Sequence, residues 1–175
     1  YVAAHADAPG LTVSESSGAE DTAIPLHISS SLTDTDGSET LAVHISNIPA
    51  GATLSAGVRN PDGTYTLTPD QLDHLTITPP HNFAGSFSLA VRATATDGNS
   101  TASRVGAISV SVSSVADAAT IDAPSASGQE DTAISLNLGA HLTDTDGSET
   151  MSIRVSGLPD GATLSAGTLQ QDGSY

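Results

Sequence analysis

The strongest constraint on the fold of this chain is an internal repeat. The segment from Gly18 to Gly57 returns without a gap as the segment from Gly128 to Gly167, and 25 of the 40 aligned residues are identical. The offset of 110 residues is longer than the roughly 20 to 50 residues of solenoid repeats and matches the length of a small domain. The sequence therefore predicts domains in tandem, not a continuous stack of short units.

The same offset relates two short segments that look like linkers between domains, 5–9 (HADAP) and 115–119 (VADAA). We expect a complete first repeat with its linkers over residues 1–117 and a second repeat over residues 118–175. Because Tyr175 corresponds to Tyr65 in the first copy, we interpret the second copy as the N-terminal part of a truncated repeat. Such a part leaves open strand edges and an uncovered core face, so we do not expect it to be a stable domain alone.

Apolar residues alternate with polar ones along most of the first copy, which is the pattern of half-buried β-strands. Turn signals such as Asp62-Gly63 and Asp97-Gly98 separate these runs. About seven short strands in a domain of this length predict an antiparallel β-sandwich of the cadherin or immunoglobulin type. One helical turn is predicted at Thr68-Pro-Asp-Gln71, where a capping-box pattern with proline at its start leads Leu72 and Leu75 onto the core.

Where the two copies differ at alternating apolar positions, one aliphatic residue replaces another, so these positions require only a similar volume, as core positions do. The pairs are Ile28/Leu138, Leu41/Met151, Val43/Ile153, Ile45/Val155 and Ile48/Leu158.

The charge of the chain excludes several functions. It has 20 acidic residues, four arginines, no lysine and no cysteine, with a formal net charge of -16. A nucleic-acid partner is not expected because phosphate binding relies on clustered basic residues. A disulfide framework, a cysteine zinc site and lysine chemistry are excluded outright. No apolar run approaches the roughly 20 residues of a membrane-spanning helix, so we expect no direct membrane insertion.

The aliphatic content is low for so acidic a chain. Leu, Ile, Val and Phe make up about 21% of the residues, close to the ~20% below which a highly charged chain is expected to be disordered. Two interpretations remain open. Either the chain is partly unfolded, or something outside the polypeptide offsets its charge repulsion.

One acidic loop is unchanged between the copies and suggests a bound cation. Asp34, Asp36 and Glu39 surround Gly37, and the block LTDTDGSET recurs at 142–150. Ca²⁺ binds six to eight oxygen ligands from carboxylates, carbonyls and water, which such a loop supplies. The spacing is not that of an EF-hand, and the pattern D-x-D-G alone also fits an ordinary solvated Asx-turn. The sequence thus favours a Ca²⁺ site and leaves ligand-free loops as the alternative.

A succession of motifs resembles a known family. It comprises Glu20-Asp-Thr, Asp34-Thr-Asp-Gly, Asp62-Gly-Thr-Tyr, Leu67-Thr-Pro, Pro80-His-Asn-Phe-Ala-Gly85, Ala93-Thr-Ala-Thr-Asp-Gly98 and the linker Ala116-Asp-Ala. Together these motifs resemble the bacterial cadherin-like repeats of giant RTX-type surface adhesins. The resemblance implies a tandem extender module, exported by type I secretion to the bacterial cell surface, whose Ca²⁺ ions rigidify a stalk used in biofilm formation. Its implied partners are neighbouring repeats of the same chain, while other domains bind the distal ligand.

The resemblance also implies which residues bind the ions. One inter-domain cluster would contain Glu20, Asp117, Asp144 and Asp146, and Glu130 would belong to the next junction. The equivalent half-site at the amino end would contain Asp7, Asp34, Asp36 and Asp97. Residues of second rank are Asp21, Asp131, Glu39 and Glu149. The linkers depart from the commoner Asn-Asp-Ala-Pro form, with Ala6 and Ala116 before the aspartates and Ala119 in place of proline.

Other functions have less support in the sequence. No G-x-S-x-G nucleophile elbow occurs, so we do not expect an enzyme. The six histidines form no H-x-x-x-H pair and are interpreted as structural. The alternatives to a spacer are a Ca²⁺-dependent module that binds a glycan or a protein and, with less support, an accessory domain of a secreted enzyme.

Overall fold

The structure is a computed structural model that describes residues 5–175. Residues 1–4, the start of the expected first repeat, lie outside the described residues. The described chain is all-β, with a single 3-10 helix and no α-helix. No helix within residues 5–175 has the length and apolar character needed to cross a membrane. The chain divides into two compact units, Tyr1–Val115 and Ala116–Tyr175, where the sequence suggested a boundary between residues 117 and 118.

The described part of the first unit contains more strands than the expected seven, and several are very short. Glycines with positive φ, such as Gly51 (89°), Gly57 (96°) and Gly63 (85°), separate the short strands between residues 46 and 65. The strands are β1 (Gly10–Val13), β2 (Ser16–Ala19), β3 (Ile24–Pro25), β4 (Ile28–Ser31), β5 (Thr40–Ser46), β6 (Thr53–Leu54), β7 (Val58–Arg59), β8 (Tyr65–Leu67), β9 (Thr76–Thr78), β10 (Gly85–Asp97) and β11 (Ser100–Ser113).

A six-stranded sheet is built around a long hairpin. Its strand order is β2-β11-β10-β5-β8-β7. The hairpin β10–β11 is antiparallel and in register from Gly85↔Val112 to Asp97↔Ser100, and Gly98 (φ 54°) lies in its turn. One pair at the edge of this sheet departs from the predicted antiparallel arrangement, because β2 pairs with β11 in parallel. The chain advances along β11 from β1 to β2: Leu11 and Val13 lie next to Gly106, and Ser16 pairs with Val110.

The core of the first unit draws residues from more than one sheet. A three-stranded sheet has the order β3-β9-β6, and β1 pairs with β4. The alternating residues that the sequence predicted as buried do form this core, because one face of each strand carries the aliphatic side chains. Fully buried members are Ile24, Val43, Ile45, Ile77, Leu89, Val91, Ile108 and Val110.

The predicted helical turn is confirmed as a 3-10 helix at Pro69–Leu72. The backbone N–H of Thr68 donates to Gln71 Oε1 at 3.0 Å, and Gln71 N–H donates to the Thr68 carbonyl at 3.0 Å. Leu72 and Leu75 are buried in the core as predicted.

The second unit has little regular structure. It contains β12 (Thr120–Asp122) and β13 (Gly139–His141), which pair antiparallel, and Val155 and Tyr175 exchange two backbone hydrogen bonds. Most of the repeated aliphatic positions are exposed in this unit, in agreement with the expectation that the second copy leaves a core face uncovered. Large apolar side chains are exposed at Ile134, Leu136, Leu138, Met151, Ile153 and Leu169.

Candidate metal centre

The linker before the first unit is held by side chains of the loop between β4 and β5. The backbone N–H of Asp7 donates to Glu39 Oε1 at 2.8 Å. One residue further, the hydroxyl of Thr33 donates to the carbonyl oxygen of Ala8 at 2.7 Å. These two bonds, which we call the linker clamp, fix the linker backbone against the acidic loop.

The turn of the long hairpin holds the same linker from another side. The backbone N–H of His5 donates to Asp97 Oδ2 at 2.9 Å. The N–H of Ala6 donates to the hydroxyl oxygen of Ser100 at 3.0 Å. Two consecutive backbone donors of the linker are therefore satisfied by residues that flank the β10–β11 turn.

The second unit repeats the linker clamp. The N–H of Asp117 donates to Glu149 Oε1 at 2.5 Å, and the Thr143 hydroxyl donates to the Ala118 carbonyl at 2.6 Å. Both bonds join the residues that lie 110 positions after their counterparts in the first unit. The clamp therefore forms in each unit from the same short sequence.

The D-T-D-G-S loop has the same internal bonds in both units. In the first, Asp36 N–H donates to Asp34 Oδ1 at 3.0 Å and Ser38 N–H donates to Asp36 Oδ1 at 2.8 Å. The side chain and backbone of Ser38 hold the pKa of Asp36 below its ordinary value of 3.8. Gly37 has φ 93°, a left-handed conformation that glycine adopts without steric cost.

In the second unit, Asp146 N–H donates to Asp144 Oδ1 at 2.9 Å and Ser148 N–H donates to Asp146 Oδ1 at 2.6 Å. Gly147 has φ 92°. These are Asx-turns, which is the conformation that the alternative of a ligand-free loop also predicted. In both loops the backbone N–H groups of the turn bond to Oδ1 of the aspartates.

A second observation does point to a ligand. Four acidic residues have a buried carboxylate oxygen without a hydrogen-bond partner: Oε2 of Glu20, Oε2 of Glu39, Oδ2 of Asp144 and Oε2 of Glu149. Three of these residues are almost completely buried, with exposures of 5% for Glu20, 7% for Glu39 and 1% for Asp144. Leaving a charged oxygen buried and unpaired is costly. These residues therefore fit a hard cation, which would satisfy the unpaired oxygens.

Glu20 has a structural role as well. Its Oε1 accepts a hydrogen bond from the backbone N–H of Val115 at 2.5 Å, and its own N–H donates to the carbonyl of Ser113 at 3.0 Å. Glu20 thus holds the segment that leaves β11 while its second oxygen remains without a hydrogen-bond partner.

Glu20, Asp144 and Asp146 each offer one carboxylate oxygen as a possible metal ligand. Glu20 and Asp144 are buried, and Asp146 is exposed. In the described part of the first unit, no three of Asp7, Asp34, Asp36 and Asp97 offer carboxylate oxygens close enough together to surround one ion. Asp34 and Asp97 are half-buried there, and Asp7 and Asp36 are exposed. In the second unit, Asp117 and Glu130 are also exposed.

The second-rank candidate Asp21 is engaged in a turn. Its Oδ1 contacts His81 Nδ1 at 2.8 Å and accepts from the N–H of Asn82 at 2.9 Å. The His81 hydrogen bond, with that of Asn82, holds the pKa of Asp21 below its ordinary value. Asp21 and its counterpart Asp131 both have positive φ, 54° and 60°, so this turn too recurs in both units.

As candidate ion ligands, Glu39 and Glu149 were ranked below the aspartates from the sequence. In the structure each of these glutamates contacts a linker. Each glutamate holds a linker N–H and has a buried, unpaired second oxygen. The signal in the sequence was the unchanged block LTDTDGSET, in which the glutamate is as invariant between the copies as the aspartates.

The chain was compared with protein-family models, with curated proteins and with solved structures, and none of them matches it.

Proposed function

We propose that this chain is a structural extender module of a bacterial cell-surface adhesin, with Ca²⁺ rigidifying the junctions between its domains. The observation that carries the proposal is the linker clamp, which occurs in both units beside buried, unpaired carboxylate oxygens. A linker whose backbone is bonded to an ion-binding loop changes its stiffness when the ion binds. In this role the chain supports adhesion and biofilm formation from outside the cell, and its partners are neighbouring repeats, while other domains bind the distal ligand.

We further propose that a complete repeat is a β-sandwich of the cadherin or immunoglobulin type. Support comes from the first unit, where strands of the six-stranded sheet and of the three-stranded sheet contribute to one core. The alternation of buried and exposed residues along β10 and β11 is the pattern of a sheet with one buried face.

Calcium is the ion that we propose, because the candidate ligands are all carboxylates. Hard oxygen ligands suit Ca²⁺, and without cysteine the chain cannot form a thiolate site. A net charge of -16 also means that each bound divalent cation reduces repulsion within the folded chain.

We assign the ligands as the sequence suggested. Asp7, Asp34, Asp36 and Asp97 contribute to a half-site at the amino end, where the linker is bonded to the loops that carry three of them. Glu20 joins Asp117, Asp144 and Asp146 at the following junction, and Glu130 serves the junction after that. The buried, unpaired oxygens of Glu20 and Asp144 support the second assignment. When bound, the ion supplies positive charge that offsets the mutual repulsion of these carboxylates.

Small-angle X-ray scattering of the full chain tests the proposal. In saturating CaCl₂ we expect a longer maximum dimension and a narrower distribution of lengths than in EDTA, because a stiffened linker samples fewer orientations. Identical scattering curves in the two buffers, together with no heat of calcium binding, would refute the extender function.

The alternative, a Ca²⁺-dependent module that binds a glycan or a protein, makes a different prediction. It requires saturable binding of a glycan or protein in CaCl₂ that EDTA abolishes. An extender shows the change in scattering without such binding, so a glycan array run in both buffers separates the two functions.

A further inference from the structure

The two oxygens of the Glu39 carboxylate have different surroundings. Oε1 accepts the hydrogen bond of the linker clamp from Asp7 N–H at 2.8 Å. Oε2 is buried without a hydrogen-bond partner, and the whole residue is 7% exposed. Glu149 repeats the arrangement, with Oε1 bonded to Asp117 N–H at 2.5 Å and Oε2 buried without a partner. In both units, therefore, one oxygen of this carboxylate is hydrogen-bonded and the other is not. This holds although the first unit buries its apolar side chains and the second exposes most of them.

No cationic side chain in the described chain neutralises these two glutamates. The ion pairs within residues 5–175 join His5 to Asp7, His81 to Asp21 and Arg154 to Asp172, and the chain contains no lysine. A proton on Oε2 would not complete the site, because the resulting hydroxyl would be a donor that needs an acceptor of its own. A small cation satisfies the oxygen directly and also neutralises the charge.

We propose that Glu39 and Glu149 are themselves calcium ligands through Oε2, while Oε1 of the same carboxylate holds the linker N–H. This inference rests on the proposed function, since it adds one ligand to each of the sites assigned above. A single glutamate then couples the ion to the linker backbone. Binding of the ion restrains the carboxylate, the carboxylate restrains the N–H of Asp7 or Asp117, and the linker stiffens. Glu39 and Glu149 are therefore the residues that convert ion occupancy into linker geometry.

The test is calorimetric titration of the full chain with CaCl₂. Glu149→Gln keeps an oxygen that can accept from Asp117 N–H but removes the charge and the ligand oxygen. Thr143→Val is the matched control, because it breaks the other bond of the linker clamp without removing a carboxylate. Circular dichroism melting in EDTA verifies that both variants fold. Glu39→Gln and Thr33→Val repeat the pair in the first unit, so poor folding of one variant does not remove the test.

We expect Glu149→Gln to weaken calcium binding at one site by at least about tenfold, the size of effect seen when groups around a metal are removed. Thr143→Val should change the affinity less than about threefold, well under the tenfold that corresponds to 1.4 kcal/mol. Equal losses in the two variants would show that Glu149 only holds the linker and would overturn the inference. An unchanged affinity in both glutamine variants, with calcium binding by the wild type, would overturn it and leave the proposed function standing. If the wild-type chain binds no calcium, the proposed function falls and this inference falls with it.

Discussion

The backbone N–H of Asp7 donates to Oε1 of Glu39, with 2.8 Å between the two atoms. Asp117 and Glu149 form the same bond in the second unit. The second unit exposes most of the apolar positions that the first unit buries, yet the bond forms in both. The attachment of the linker is therefore set by the local sequence of linker and acidic loop, not by a completed core.

Replacing Asp144 and Asp146 together by asparagine should mimic removal of calcium. At a free calcium concentration 100 times the Kd, a bound ion adds about 2.7 kcal/mol to the free energy of unfolding. We expect the double variant to lose the part of this calcium-dependent stabilisation that comes from the junction site. In EDTA it should be at least as stable as the wild type, because the change removes like charges. Thermal melting in CaCl₂ and in EDTA measures both effects.

The matched control for this experiment is the pair Asp34→Asn and Asp36→Asn, the same change in the first copy. It should remove a different calcium site, so titration of each double variant should show one site fewer than the wild type. A double variant at 144 and 146 that keeps every site and the full calcium shift would refute the ligand assignment.

The two copies of one isoleucine should differ in their contribution to stability. Ile24 is completely buried, and its counterpart Ile134 is 46% exposed. We expect Ile24→Ala to cost about 2 to 5 kcal/mol of unfolding free energy, because it leaves a cavity in a packed core. Ile134→Ala should cost less than about 0.5 kcal/mol, the range of ordinary surface changes. Urea denaturation of the two variants measures the difference, and similar costs at the two positions would contradict it.

The glycines that contact these isoleucines provide an independent comparison. A Cβ added at Gly18 would lie 2.6 Å from Ile24 Cγ1, and one at Gly128 would lie 2.6 Å from Ile134 Cγ1. The contact is the same, but only the exposed Ile134 has room to turn away. We therefore expect Gly18→Ala to destabilise the chain by about 1 to 3 kcal/mol through overpacking, and Gly128→Ala by less than about 0.5 kcal/mol. Melting temperatures of the two alanine variants, compared with the wild type, check this order.

The Asp62 turn should make a pH-dependent contribution to stability. The Thr64 hydroxyl (2.7 Å) and backbone N–H (3.0 Å) donate to Asp62 Oδ1, and they hold the pKa of Asp62 below its ordinary value of 3.8. Because the folded-state pKa is depressed, the contribution is present above pH 3.8 and is lost as the pH falls through the lower folded-state value.

The variant Thr64→Val removes the hydroxyl that donates to Asp62 and also accepts from Asn60 Nδ2 at 2.9 Å, so the pH-dependent part of its effect reports the bond to Asp62. A carboxyl NMR titration should show the pKa of Asp62 rising toward its ordinary value. The difference in unfolding free energy between wild type and variant should shrink as the pH is lowered from 6 to 3. A difference that is constant over this range would show that the hydroxyl does not act through the carboxylate.

Much of the fold of the first unit was predictable because the alternation of Leu89, Val91 and Ala93 with polar residues is a local signal. The capping-box turn at Thr68 was predictable for the same reason. The parallel pairing of β2 with β11 was not, because Ser16 and Val110 are far apart in sequence and neither carries a pattern that distinguishes a parallel from an antiparallel neighbour.

The candidate site was predictable in its residue types and not in its bonding. The repeated aspartates indicated an acidic loop, but an Asx-turn and a metal-binding loop can have the same short sequence. That Glu39 bonds a linker N–H and keeps a buried free oxygen depends on three-dimensional proximity across 32 residues. The comparison of the two copies showed that Glu39 is unchanged, but its contacts follow only from the structure.

The parallel pairing of β2 with β11 has a consequence for a chain under tension. The register runs from Ser16↔Val110 to Ala19↔Ser113, so β2, near the start of the unit, lies beside the last four residues of β11. A force that draws the entering and leaving segments of the unit in opposite directions would slide the two strands lengthwise past each other. All the inter-strand bonds of the pair would then be strained at the same time instead of opening one after another. Such shear loading gives the first unit a geometry suited to resisting a pull between its two ends.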